Sequence, residues 1–434
     1  MSTPVLHGTR ACPSCGTDLP DSGNHVSWCP ACEWNLSPAP IEATPHRTRR
    51  QQRKAARAER REEARKKAVR ARVEQLYDAL AADPAGRGGS AGLAALTLAT
   101  LIHLASLVAF AGCAALLALG TLPLRAVGLL GLAVLAVGTR PSLGRAPERG
   151  TVLARDKAPA LYGLADRVAQ VLGAQPVHLI RTNGRFNASF GRVGLRRRSV
   201  LTIGIPLWQA LTPQQRVALL AHELGHSVNG DTRRGLWLGS ALATLDSWYR
   251  ILRPARVRRA STLDVLSKAL LRPGAWLVER LLLLLDRLTT RSGQAAEYRA
   301  DALAATTAST EAARGMLETL LLGTSARTVL DRFRNSAVGR AGSRQRQQQP
   351  ADLWTALGDH LAAVPRLERE RLLRVSIREL GAVDVSHPPT YLRLRMLDHR
   401  PVTEAAVVLG TAEGRAVEAE LAPARARVAA NLLG

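Results

Sequence analysis

The run from Leu93 to Leu119 limits most what this chain can become, because it holds no charged residue and consists mainly of Ala, Leu, Val, Ile and Gly. As a helix it is long enough to cross about 30 Å of hydrocarbon, so a transmembrane helix is predicted. A second apolar run, Leu122 to Gly138, follows the turn Gly120-Thr121-Leu122-Pro123 and is expected to return the chain, closing a helical hairpin over 91–140 with Arg125 near the headgroups. His103 in the first helix has two readings: a functional polar group, or a neutral imidazole bonded to a neighbouring helix. The cations before the first helix, and Arg140, Arg145 and Arg149 after the second, place both flanks in the cytoplasm. The expectation is a multi-pass plasma-membrane protein with both termini and the soluble remainder cytoplasmic.

Two later runs, Leu236 to Leu252 and Trp276 to Leu288, are also apolar, but Glu279, Arg280 and Asp286 interrupt the second. A membrane hairpin of the two would export Arg253, Arg256, Arg258 and Arg259, against the charge rule. They are expected instead as an amphipathic pair lying on the membrane or packed on the soluble domain. The segment Gly339 to Gln349, rich in Arg, Gln and Gly, reads as a loop.

With 60 Lys plus Arg against 35 Asp plus Glu, the net charge of +25 favours anionic partners, either lipid headgroups or nucleic acid. Aromatic residues make up only 4% of the chain and leave little for base stacking, so membrane lipid is the favoured partner. Residues 45–90 read as a basic helical linker: Arg47 to Arg72 are good helix formers, with an apolar stripe only from Val69 through Val73 and Leu76 to Leu80. It is either a solvated linker or a contact with the anionic face of a bilayer, where each cation contributes about 1 kcal/mol.

Four of the five cysteines fall in the first 32 residues, as Cys12-Pro-Ser-Cys15 and Cys29-Pro-Ala-Cys32, thirteen residues apart; the fifth, Cys113, lies in the apolar run. No apolar segment opens the chain, so a reducing compartment is expected. Two such knuckles present four thiolates to one structural zinc ion, which makes 1–44 a zinc ribbon. A pair of disulfides is the alternative. The ribbon's partner, whether protein, nucleic acid or none, is not indicated.

The chemistry concentrates after Thr212-Pro213-Gln214-Gln215, where an N-cap threonine, a proline at the first helical position and a glutamine at the third predict a helix start. That helix carries His222-Glu223-Leu224-Gly225-His226. Histidines four residues apart project from one face and can meet one zinc ion at about 2.0 to 2.1 Å. Glu223 then stands where it can take a proton from a water that the metal has made acidic. A catalytic zinc wants a third protein ligand, and Glu297 of Glu297-Tyr298-Arg299-Ala300-Asp301 is the candidate, with Asp301 one turn on to accept a hydrogen bond from a ligand histidine.

The order of Asn187-Ala188, His222 to His226, Asn229-Gly-Asp231, Glu297 to Asp301 and Ser386-His387-Pro388-Pro389 resembles the membrane metallopeptidases of the HtpX heat-shock protease and CAAX prenyl protease type, over roughly Leu161 to Leu397. The resemblance implies zinc on His222, His226 and Glu297, a general base at Glu223, and an oxyanion-stabilising histidine at His387. It also implies Asp301 and Asp231 as supporting groups, and Asn187, Ala188 and Arg393 as substrate-binding residues. Ser189 replaces the phenylalanine usual after Asn-Ala. Strands are expected at Val177 to Arg181, Phe186 to Phe190 and Val200 to Ile203, the middle one an edge on which an extended peptide aligns.

The implied fold is α+β and mainly helical: a zincin-type metallopeptidase domain over 141–400, an active-site helix with a small sheet, and a tail at 401–434. The region between the histidines and the third ligand reads as charged and short, against an intramembrane chamber. The leading function is zinc-dependent endopeptidase action on unfolded or membrane polypeptides at the cytoplasmic face. A non-catalytic membrane adaptor built on ribbon and basic helix, and a CAAX-type processing protease, are the alternatives.

Overall fold

The computed structural model describes residues 10–23, 25–38, 49–82, 89–139, 152–194, 196–229, 231–253, 262–338, 343–378 and 387–433. Arg140, Arg145, Arg149, Arg256, Arg258, Arg259 and Ser386, the side chain of Asp231, and residues 83–88 and 339–342 lie outside that description.

The chain opens with the short hairpin β1 (Arg10–Ala11) and β2 (Asp18–Leu19), followed by the long helix α1 (Arg49–Ala82). Next come α2 (Gly89–Leu119) and α3 (Leu122–Gly138), then β3 (Val152–Leu153), α4 (Pro159–Leu172), β4 (Leu179–Asn183), β5 (Ala188–Val193) and β6 (Arg198–Gly204). Helices fill the rest: α5 (Ile205–Ala210), α6 (Pro213–Val228), α7 (Asp231–Leu252), α8 (Thr262–Ala308), α9 (Thr310–Leu320), α10 (Gly323–Val338), α11 (Ser343–Ala362), α12 (Arg366–Arg378), α13 (Thr390–Asp398) and α14 (Thr411–Leu433). The protein is mainly helical with a small sheet, and Ser343 onward is helical where a loop was expected.

The sheet runs β3-β4-β6-β5, with β4 and β6 parallel and the outer pairs antiparallel. β5 is therefore an edge strand. It begins at Ala188, paired with Ile203, and not at Phe186, because the Asn187 carbonyl turns to accept from Gly204 N at 2.9 Å. A Cβ at Gly204 would collide with the carbonyl oxygens of Arg185 and Asn187, so only glycine permits this entry into the edge.

One apolar core joins the sheet, α4, α5, α6, the end of α8, and α9 to α14. The segment after 400, expected as a tail, contributes to this core. Val417, Leu421, Ala424, Val428 and Ala429 of α14 are buried in that core. Glu420 reaches across to α4, where its two oxygens accept from the backbone N–H groups of Ala160 and Leu161 at 2.7 and 2.9 Å. These are orphan donors of a helix that starts at Pro159, and a carboxylate suits that end. Glu418 accepts from Trp208 Nε1 at 3.1 Å and pairs with Arg216 and Arg425 at 2.7 and 2.8 Å. Removing the cap by Glu420→Ala is expected to cost about 0.5–2 kcal/mol, read as a lower denaturant midpoint at unchanged slope.

Among the described residues, Ala91–Leu119 is the one helix long and apolar enough to cross a membrane; Leu122–Gly138 is shorter. The two pack closely because α3 presents glycines: a Cβ at Gly131 would meet Cys113 Sγ at 2.6 Å, and one at Gly128 would meet the Cys113 carbonyl oxygen at the same distance. His103 is bonded between helices, its Nε2 3.1 Å from Trp237 O and 3.3 Å from Ser240 Oγ. The stretch between the histidine motif and Glu297 is not short, and it packs on α2. Leu238, Ala241 and Leu245 of α7 and Val278 and Leu285 of α8 pack on Ala95, Ala99 and Ile102 of α2. The two alanines give α2 a flat face that admits the larger side chains of both neighbours.

Candidate metal centre

α6 starts where its sequence says: the Thr212 hydroxyl accepts from Gln215 N, and the Gln215 side chain accepts from Thr212 N, a reciprocal capping box. From Val217 to Gly225 every residue is buried, so the helix carries His222 and Glu223 through the interior. α8 crosses it at close range. A Cβ on Gly225 would stand 3.2 Å from Leu303 Cδ1 and 3.3 Å from Ala300 Cα, so the glycine inside the motif and the alanine after Glu297 bring the two backbones together.

That crossing assembles the donors. His222 Nε2 lies 3.5 Å from Glu297 Oε2, and His226 Nε2 lies 3.4 Å from Glu297 Oε1. Ligands about 2.0–2.1 Å from a tetrahedral ion stand about 3.3 Å from one another, so the three residues fit a shared metal. The chain offers them as one possible metal group, within 4.8 Å of each other. Glu297 Oε2 is buried and meets no well-aligned hydrogen-bond donor, which suits an acceptor for a cation. His387 Nδ1 approaches this oxygen to 2.9 Å, with its own side chain 46% exposed at the mouth of the site.

Behind the ligands stands a buried charge pair. Arg393 Nε donates to Asp301 Oδ2 at 2.8 Å and its Nη2 to Oδ1 at 2.6 Å, while His222 Nδ1 lies 3.0 Å from the same Oδ1. Arg393 was expected at the substrate; it is 5% exposed and faces inward, because the Asp301 carboxylate, 1% exposed, needs a counter-charge. Asn187 is exposed at the edge of the sheet, and Ala188 beside it is buried against Ile203. The cluster thus gathers His222, Glu223, His226, Glu297, Asp301, His387 and Arg393, while Ala188 opens, and Asn187 precedes, the strand packed alongside α6.

The sequence model of peptidase family M48 matches residues 159–401. The chain belongs to peptidase family M48. No curated protein and no solved structure matches it. Membership indicates a metallopeptidase and implies a metal, typically zinc. The M48 match closes at 401, yet the α14 helix beyond it completes the core on which the matched segment rests.

Ionisation in this M48 site follows from its packing. Burial alone would lower the His222 pKa, but hydrogen bonds to Asp301 and Glu297 outweigh it and push the imidazole up to about 9. Burial likewise opposes the charge on Glu297, yet His222, His387 and Arg393 hold that carboxyl well below the usual range. Asp301 is lowered too, burial being overcome by Arg393 and His222. In the metal-free protein, the buried carboxylates of Glu297 and Asp301 thus face Arg393 and a protonated His222. With its folded pKa above the ordinary 6.5, His222 stabilises the metal-free fold fully below that value and loses the contribution as pH rises through about 9. A metal ion must displace this proton. Zinc uptake at pH 7 is expected to release about one proton from His222, read by calorimetry in buffers of different ionisation enthalpy.

A second donor group lies in the N-terminal segment, between the hairpin β1–β2 and the turn at Cys29 to Cys32. Cys12 Sγ is 3.6 Å from Cys32 Sγ, and Cys15 Sγ is 3.6 Å from Cys29 Sγ. Disulfides would bring these sulfurs to about 2.05 Å, whereas thiolates about 2.3 Å from a tetrahedral ion stand about 3.8 Å apart. The four form a possible metal group, and each knuckle closes on itself through Gly16 N to Cys12 O and Glu33 N to Cys29 O.

Proposed function

We propose that this M48 chain is a membrane-anchored zinc endopeptidase that hydrolyses unfolded or membrane polypeptides at the cytoplasmic face. One observation carries the reading: two imidazoles and a carboxylate at tetrahedral spacing, with the acid Glu223 beside the first of them and itself buried. His222, His226 and Glu297 hold the zinc, which when bound makes a water acidic and polarises the scissile carbonyl. Glu223 accepts the proton of the attacking water and delivers it to the leaving amine. Asp301 takes the Nδ1 proton of His222 in a hydrogen bond and leaves Nε2 free to ligate. His387, at the mouth, donates to the substrate oxygen as it gains charge.

Substrate backbone pairs with the β5 edge from Asn187 and Ala188 onward. Backbone pairing reads no particular side chain and suits unfolded polypeptides. The anchor is the α2–α3 hairpin, on which Leu101, Leu104, Leu107, Val108, Leu129 and Leu130 are exposed with no protein cover. The flanking cations favour a cytoplasmic site. The four thiolates of the ribbon hold a second, structural zinc.

Stripping metal with a chelator is expected to abolish casein hydrolysis, and added zinc to restore it, while elemental analysis of the full chain gives two zinc equivalents. A protein that carries one equivalent and leaves casein intact would be an adaptor with only its ribbon loaded.

A further inference from the structure

The ribbon and α1 precede the M48 segment, yet each is seated on a helix bordering His387. The ribbon rests on α12, the last described helix before it. Arg371 Nη1 donates to Leu36 O and Arg374 Nη1 to Pro30 O, both at 2.7 Å, and Arg378 Nη2 donates to Glu33 Oε2 at 2.7 Å. Arg374 also lies over the buried Trp28 ring, 5.1 Å from its centroid. Spacings of three and four residues put these three arginines on one stripe of α12. Arg371 is itself fixed by two hydrogen bonds to the buried Glu368, both 2.7 Å. What they grip is the second cysteine knuckle: Trp28 precedes Cys29, Pro30 lies inside the turn, and Glu33 follows Cys32 with φ 58°.

The other half of the extension holds α13, which starts three residues after His387 and carries Arg393. Val73, Tyr77, Leu80 and Ala81 of α1 pack on Leu392 and Met396 of α13 and on Tyr298, the neighbour of Glu297. Tyr77 is 1% exposed, edge-on to Tyr298 at 6.2 Å and covered by Arg395 at 5.0 Å. The Tyr391 hydroxyl donates to Glu74 Oε1 at 3.4 Å, and Arg70 pairs with the same carboxylate at 2.9 Å. α12 and α13 pack on each other, so ribbon and α1 grip one two-helix unit from both sides.

We propose that the N-terminal ribbon and α1 form a clamp that positions His387 and Arg393 through α12 and α13, so that metal loading of the four-cysteine site governs turnover at the peptidase centre. Among the described residues the ribbon's own apolar cluster is Cys12, Leu19 and Cys29, with Trp28 and Leu36 also buried, a core so small that the knuckle depends on an ion. Loss of that ion removes the surface that Arg371, Arg374 and Arg378 grip. Tyr77 and Arg374 are positioning residues. Neither touches the ligands.

The proposal rests on the peptidase reading above, and its test separates the two. Full-length Cys15→Ser/Cys32→Ser, Arg374→Ala, Tyr77→Ala and Tyr77→Phe chains are compared with the parent in detergent, on a quenched-fluorescent unstructured peptide. The clamp predicts that kcat falls about 10- to 100-fold in the first three with KM nearly unchanged. Tyr77→Phe keeps the parent rate. Each variant retains one zinc at His222, His226 and Glu297, and amides of α12 and α13 exchange faster. Arg374→Ala and Tyr77→Ala leave the cysteines intact, so they report even if the cysteine variant does not fold. Parental kcat in both, with exchange unchanged, overturns the clamp. An inactive parent would remove the peptidase reading instead; exchange in α12 and α13, which needs no activity, then decides whether the clamp exists.

Discussion

Glu223→Gln is expected to keep its full complement of metal and lose about 10²- to 10⁴-fold of its casein hydrolysis. The substitution is close to isosteric, and Glu223 is not among the three residues whose donors converge at 3.4 and 3.5 Å, so ligation is untouched. A glutamine cannot accept the proton of the attacking water. Metal content measured beside rate is what makes the experiment decisive. Hydrolysis at the parental rate would remove Glu223 as the base, and loss of metal together with rate would place it among the ligands.

Arg393→Met is the second large effect expected, and it acts on the fold and the metal together. It leaves Asp301 and Glu297 buried with one counter-charge fewer, and breaking a buried pair from one side costs about 3–5 kcal/mol. For a domain of this size the thermal midpoint should fall by about 10 °C. Asp301→Leu made in the same chain removes the stranded carboxylate and should recover much of the stability. It should not recover metal affinity, because His222 Nδ1 has lost the acceptor 3.0 Å away, and loss of such a partner costs about 10- to 100-fold. Stability and affinity that recover together would mean that Asp301 acts only as a counter-ion.

The candidate metal group was legible because it is written in local periodicity. Two histidines four apart on a capped helix, and a glutamate and aspartate four apart on another, need only helical geometry to be recognised. Arg393 was legible as a residue and not as a position. In Tyr391-Leu-Arg-Leu-Arg395 the arginines alternate with leucines, and nothing local says that Arg393 turns inward to α8 while Arg395 covers Tyr77. α14 escaped for a related reason: its buried face is largely alanine and valine between arginines and glutamates, a weak pattern that becomes core only when α4 and α5 supply its partners. The stripe of α1 was visible from Val73 onward, but its destination was not, since the same face would serve a bilayer or a neighbouring helix. The place of α7 and α8 beside α2 was not legible either, because their charges speak to whether they span a membrane and not to which helix they pack on. Asp246 pairs with Arg250, and Glu279 with Arg253, so these groups are matched among themselves while the apolar sides meet α2.

The helix that supplies Glu297 and Asp301 is also the one that runs down beside α2. At 47 residues it is a rod about 70 Å long, and Glu297 stands about 36 Å beyond Pro273 along its axis. Such a lever magnifies angle into distance: a tilt of about 5° at Pro273 would carry the Glu297 carboxylate sideways by about 3 Å, nearly the whole spacing between it and the two imidazoles. The spacing between Glu297 and the two imidazoles therefore depends on how the rod is held along its length, and not at the α6 crossing alone. Ala95, Ala99 and Ile102 of α2, packed on Val278 and Leu285 between Pro273 and Glu297, help to fix where that carboxylate stands against the histidines.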